Sequence, residues 1–229
     1  MSNRVYTTAL RDLMQGEHNM ETDNLKAMLI TTTNCRFDNE AAVVDNGDGT
    51  VGIPATGHGF NSGDAIVISK TDNYNGEYTV DAATTADVLV ITATFIAETF
   101  DGNERAMLNP FDASHAFIGD VLGQTGVSEI DGLGYNAGFG NTGRQAIPNI
   151  SAVADHPNVR AELHGDNFSW TELEAGTVCA MLIVKEAISD ADSPVFQCII
   201  ANNFPIDTIG VEFPINWNAE GFMQLGTGV

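Results

Sequence analysis

The segment Thr56–Val80, TGHGFNSGDAIVISKTDNYNGEYTV, turns, runs as a strand, turns again at Asn75-Gly76 and begins another strand. Its glycines fall where tight turns need a positive φ, and β-branched residues fill the stretches between them. The same texture extends to both sides. Short apolar runs AAVVD, GTVGI, AIVIS, EYTV and VLVITATF alternate with the turns NGDG, TGHGFNSGD and NYNG. Five short strands within roughly sixty residues predict a small, tightly rolled, barrel-like all-β domain.

Outside this block the chain reads differently. Val5, Tyr6, Ala9, Leu10, Leu13 and Met14 recur at helical spacing, which predicts an amphipathic helix over residues 4–15. Ser2 or Asn3 would cap its start and Gly16 would end it. NLKAMLITT (24–32) reads as a strand buried on both faces. A turn-rich, glycine-dense passage runs from Asp101 to Asn149. Strands then resume as VRAELHG (159–165), FSWTEL (168–173), TVCAMLIVK (177–185), VFQCIIAN (195–202), EFPINWN (212–218) and FMQLG (222–226). Their spacing predicts an antiparallel β-sandwich. Phe213, Ile215 and Trp217 alternate with Glu212, Pro214 and Asn216, so one face of that strand should be buried. Trp170 and Trp217 are both expected in the core. The fold expected is mainly β: a β-sandwich host domain with an N-terminal α-helix and an inserted small β-barrel-like domain.

Of 229 residues, 31 are Asp or Glu and nine are Lys or Arg, a formal net charge of −22. A field of that sign repels phosphate and argues against nucleic-acid binding. No apolar run approaches the roughly 20 residues that a membrane-spanning helix needs, and the N-terminus carries no apolar secretory core, so synthesis in a cytosol is expected. Cys35, Cys179 and Cys198 are too few for a disulfide framework and should be free thiols. The apolar runs holding Cys179 and Cys198 read as a hairpin about the loop Glu186–Ser193, which should bring those two residues nearly opposite each other.

Several motifs fail on context. Gly138-Phe-Gly140-Asn-Thr-Gly143 fits G-x-G-x-x-G, but no βαβ frame surrounds it and Pro148 follows closely. Asp45-Asn-Gly-Asp48-Gly begins like a calcium loop, yet its twelfth position is Thr56, which cannot supply a bidentate carboxylate. His18, His58, His115, His156 and His164 lack metal-ligand spacing. There is no G-x-S-x-G and no activated cysteine. No residue earns a catalytic, cofactor-binding or metal-ligating role, and no enzyme activity or cofactor is expected.

Four segments carry a resemblance. Tyr6, Leu10, Leu13, Gly16 and Thr22-Asp23-Asn24-Leu25-Lys26-Ala27-Met28-Leu29 form the first. His115, Asp120 and Glu129-Ile-Asp-Gly132-Leu-Gly134-Tyr135-Asn-Ala-Gly138 form the second. Phe168-Ser-Trp170-Thr with Ala180–Lys185 is the third, and Asn216-Trp217-Asn-Ala-Glu-Gly221-Phe-Met-Gln-Leu225 the last. In this order they resemble a family of tailed-bacteriophage virion proteins, the small capsid cement or decoration proteins. The resemblance covers 1–38 and about 106–229. Residues 39–105 depart from it and resemble a separate module of phage structural chains, through Asn46-Gly-Asp-Gly-Thr-Val51, His58-Gly59, Gly63-Asp64 and Asn73-Tyr-Asn-Gly76.

The domains so implied are a host domain, 1–38 plus 106–229, and an inserted domain, 39–105. The function implied is a cement protein bound to the outer head surface of the virion. Its partners would be the major capsid protein and copies of itself, a trimer suiting shell three-fold positions, with no nucleic acid and no membrane. A tail, baseplate or fibre component is the first alternative, and a carbohydrate-binding or carbohydrate-active protein the second. The interface elements expected are the N-terminal helix and the glycine-rich passage 119–143.

Overall fold

The computed structural model describes residues 2–158, 160–201 and 203–226. Met1, Val159, Asn202 and residues 227–229, including one residue of each of two expected strands, lie outside the described residues. The protein is mainly β, with several antiparallel sheets and two short helices among the described residues. No helix among them is long and apolar enough to cross a membrane. The chain divides into two compact units. One comprises Met1–Thr31, Phe111–Ile200 and Asp207–Val229, the other Thr32–Pro110 and Ala201–Ile206.

The first unit is built on a sheet in which Ser2–Val5, Val195–Ile200, Ala180–Lys185, Leu25–Thr32 and Val127–Glu129 lie side by side in that order. Gln145–Ala146 also pairs with Leu25–Thr32. Every residue of Val195–Ile200 and all of Ala180–Lys185 except its last are buried, as continuous apolar runs require. Ser151–Asp155, Arg160–His164 and Met223–Gly226 form a second sheet, and Phe168–Leu173 pairs with Val211–Ile215 in a third. This assembly of antiparallel sheets is consistent with a β-sandwich.

Aromatic side chains connect the layers. Trp170 is fully buried and donates from Nε1 to Gly143 O at 2.6 Å. Phe168, Tyr135 and Phe213 rings lie 5.3, 6.1 and 6.2 Å from it. Phe213, Ile215 and Trp217 are indeed the less exposed face of their strand. Trp217, however, is only half-buried. It sits beyond the end of the strand, where Nε1 reaches Asp166 O at 3.2 Å.

Two local expectations change. Ser2–Val5 is a strand, and the helix runs only from Thr7 to Gln15, with Tyr6 at its N-cap in place of Ser2 or Asn3. Pairing with the edge of the sheet, from Ser2↔Ile200 to Val5↔Gln197, satisfies the backbone of these residues, and Tyr6 N donates to Phe196 O at 3.0 Å. Gly16 closes the helix in the left-handed conformation, φ 74°, as a C′ glycine does. Cys179 and Cys198 do not face each other. Cys198 is paired with Leu182, three residues beyond Cys179, because Cys179 precedes the strand and donates its N–H to Ile30 O. None of the three cysteines is joined in a disulfide.

The second unit has two sheets. Asn34–Arg36, Arg105–Leu108, Ala65–Ser69 and Gly76–Thr79 form one, and Val44–Asp45, Thr50–Pro54 and Val88–Thr92 the other. They share a core that includes Phe37, Ile53, Ile66, Tyr74, Leu89 and Phe100. The expected barrel does not close among the described residues. The strands are two to five residues long, so the sheets stay open around the core, and the bridge Val80↔Ile91 spans between them. In the opening stretch, buried His58 accepts the Phe60 N–H at Nδ1 (2.9 Å) and meets Thr85 O at Nε2 (2.7 Å). This pair of contacts requires the neutral, Nε2-protonated tautomer.

The unit also reaches past the expected limits of 39–105. Asn34–Arg36 pairs with Arg105–Leu108, which pairs in turn with Ala65–Ser69. Residues 201–206 join it through Ser69 Oγ to Phe204 O (2.7 Å) and Lys70 Nζ to Pro205 O (2.8 Å).

Candidate functional site

The glycine-rich passage 119–143 is organised by one arginine. The Arg144 side chain is fully buried. Its Nε and Nη2 donate to Glu129 Oε1 and Oε2 at 2.9 and 2.7 Å. Nη1 and Nη2 donate to Asp190 Oδ1 and Oδ2 at 2.6 and 3.1 Å, and Nη1 also reaches Glu186 Oε1 at 3.2 Å. Lys26 Nζ pairs with the other oxygen of Glu186. Burial alone would disfavour the guanidinium charge, but the hydrogen bonds to Glu129 and Asp190 hold its pKa above the ordinary value. Two bidentate carboxylates on one planar fork are an arrangement that lysine could not reproduce.

The passage hangs on this cluster. Tyr135 OH donates to Glu129 Oε1 at 2.9 Å and accepts Leu29 N–H at 3.1 Å, which fixes the loop against the Leu25–Thr32 strand. Burial, with Glu129 beside it, pushes the phenol pKa upward, so the proton stays on Tyr135 to make that bond. Gly138 N donates to Glu129 Oε2 at 3.0 Å and Gly140 N to Glu186 Oε1 at 3.2 Å. Those N–H groups are the ones a G-x-G-x-x-G loop would turn toward phosphate. Here carboxylates hold them, and a dinucleotide reading has no chemistry left.

Close approach accounts for several glycines here, Gly143 and Gly134 among them. A Cβ on Gly143 would lie 2.4 Å from the Tyr135 ring, and one on Gly134 would lie 2.7 Å from Thr171 O in a backbone with φ 78°. Of the residues singled out in the Glu129–Gly138 motif, Glu129 and Tyr135 thus have structural duties as clamp and anchor.

At its start the passage forms a one-turn helix, Ile118–Leu122, seated on the loop 186–193 through Ile118 N to Ser193 O and Gly119 N to Asp190 O, both 2.9 Å. Asp120 accepts the N–H groups of Ala116 and Phe117 at 2.9 Å, and these bonds hold its carboxyl below the usual range. The N-terminal helix lies beside the approach to this turn. Thr7 Oγ1 donates to Ala113 O at 2.7 Å and Thr8 Oγ1 to His115 O at 2.9 Å.

The two expected interface elements both belong to the first unit, and they leave apolar side chains in solvent. Met14 is 89% exposed, Leu133 61% and Phe139 40%, while Ile188 on the neighbouring loop is 83% exposed. Arg144, Glu186 and Asp190 went unrecognised in the sequence. Their only signal was that Arg144 is one of nine basic residues in a strongly acidic chain.

Three of the remaining histidines have local partners. His18 lies edge-on to Phe196 and near Asp23, His164 is 3.0 Å from Glu162, and His115 approaches Gln124. His156 is exposed. Among the described residues no group of three or more His, Cys, Asp or Glu side chains is arranged to hold a metal ion. The Asp45–Thr50 turn spends its carboxylates on its own backbone, Asp45 Oδ1 on Gly47 N and Asp48 Oδ1 on Thr50 N and Oγ1. Comparison with protein-family models, with curated proteins and with solved structures yields no significant match to this chain.

Proposed function

We propose that this protein is a structural component of a tailed-phage virion that docks on the outer surface of the head shell and reinforces it. The observation that carries the reading is the clamped passage 119–143. Its Glu129, Gly132, Gly134, Tyr135 and Gly138 resemble the virion-family pattern, and Arg144 ties it down through Glu129 while Leu133 and Phe139 remain in solvent. A loop fixed in advance loses little conformational freedom on docking, so modest contacts suffice. Repetition over a shell lattice multiplies such contacts. The net charge of −22 keeps the protein off packaged nucleic acid and keeps decorated particles apart.

The test is to strip the protein from particles, or delete its gene, and measure infectivity before and after heating, then host attachment. Cement predicts particles that attach normally, lose heat resistance, and regain it when purified protein is added back. Its copy number should be in the hundreds, a rough figure for a lattice decoration. Heat-stable particles that cannot attach would overturn the reading in favour of a tail, baseplate or fibre component. Copy numbers of a dozen or fewer would do the same.

A further inference from the structure

The chain contains two Asn-Gly pairs, Asn46-Gly47 and Asn75-Gly76, both in turns of the second unit. Asn-Gly is the dipeptide in which the next backbone nitrogen reaches the side-chain amide most easily, because glycine has no Cβ to obstruct the approach. The two pairs are held very differently.

Asn46 is exposed, and its side-chain Nδ2 makes one hydrogen bond, to Thr50 Oγ1 at 2.9 Å. Gly47 is exposed as well, in the left-handed conformation with φ 77°, and the space where a Cβ would stand is open. Its N–H already donates to Asp45 Oδ1 at 2.9 Å, so a carboxylate stands where the amide proton must go. Asn75, in contrast, is bound at both ends of its amide. Oδ1 accepts Thr71 N–H at 3.0 Å and Thr71 Oγ1–H at 3.2 Å, and Nδ2 donates to Thr71 O. Gly76 is moreover paired with Ile68 in the sheet, so moving its nitrogen would break a strand.

The structure assigns Asn46 as a site of spontaneous covalent modification, cyclising to a succinimide and opening to isoaspartate or aspartate, while Asn75 is protected. In the first step Gly47 N forms a bond to Asn46 Cγ, its proton passes by way of Asp45 to the departing amide nitrogen, and the Cγ–Nδ2 bond breaks to release ammonia. In the second, water adds to either ring carbonyl. The sum is amide plus water giving carboxylic acid plus ammonia, with no oxidant or reductant.

The isoaspartate product routes the backbone through Cβ and Cγ. It lengthens the turn that joins Val44–Asp45 to Thr50–Pro54 and displaces the Asn46 N to Thr50 O hydrogen bond (3.3 Å). It also adds one negative charge to a chain that already carries −22. The change is one-way, so it would mark the age of the protein on one hairpin of the second unit.

The test incubates the purified full chain at mildly alkaline pH, folded and in denaturant, then cleaves after Lys and Arg. Asn46 falls on the peptide Phe37–Lys70 and Asn75 on Thr71–Arg105. Mass spectrometry reads the amide-to-acid shift, and electron-transfer fragmentation separates isoaspartate from aspartate. The expected result is conversion of Asn46 with isoaspartate present and retention of Asn75 in the folded chain, with both converted in denaturant. The assignment is overturned if folded Asn46 stays intact while denatured Asn46 converts. It is equally overturned if folded Asn75 converts as fast as Asn46.

Discussion

Arg144 joins residues far apart in the chain, Glu129 on one side and Glu186 and Asp190 on the other, in a site its side chain shares with no solvent. Removing the cation leaves Glu129 and Asp190 without their counter-charge, Lys26 still serving Glu186, and breaking a buried pair in this way typically costs about 3–5 kcal/mol. Arg144→Ala should therefore lower the urea midpoint of the first unit by a large fraction of its stability. Arg144→Lys should recover only part of the loss, since one ammonium cannot serve two bidentate partners. Equilibrium denaturation followed by tryptophan emission reads this, since Trp170 and Trp217 both lie in the first unit, and wild-type stability in Arg144→Ala would show that the cluster is dispensable. The residue types themselves gave no warning of the cluster. In a chain with 31 carboxylates, any three look alike until the fold selects them.

At the scale of elements, periodicity marked where strands lie better than which neighbours they take. The run over residues 4–15 has helical spacing throughout, yet its first residues pair with Val195–Ile200, where a sheet edge offered hydrogen bonds that a frayed helix start could not. In the second unit, Arg105–Leu108 lies between Asn34–Arg36 and Ala65–Ser69 and buries Ala106 and Met107. Excising 40–104 would thus leave Arg105–Leu108 with one neighbour and two apolar side chains uncovered. Excising 32–110, with a short Gly/Ser link and the same kind of link replacing 201–206, removes the unit whole. The longer excision should melt cooperatively and stay monomeric, and the shorter should melt broadly or aggregate. Differential scanning calorimetry with size-exclusion chromatography distinguishes them. Equal cooperativity in the two variants would return the boundary to 39–105.

For the molecule as a whole, charge is the governing quantity. With 31 acids against nine bases, repulsion is spread over the surface, while the strongest attractions, those of Arg144, are buried and poorly screened. Raising salt from about 0.1 to 1 M shortens the screening length from about 10 to about 3 Å. It should therefore raise the melting temperature, and a fall would mean that surface ion pairs such as Arg160–Glu220 outweigh the repulsion. The sequence by itself determined what is local or additive. The net charge is a sum, strand-forming runs follow from alternation and side-chain branching, and turns follow from glycines that must adopt positive φ. Only the tertiary structure decided what depends on residues distant in the chain. The bonding of Phe204 and Pro205 to Ser69 and Lys70, the half-burial of Trp217, the offset of Cys179 from Cys198 and the gathering of three carboxylates around Arg144 are of this kind. Each is set by how sheets register and pack, and no short window of sequence contains both partners.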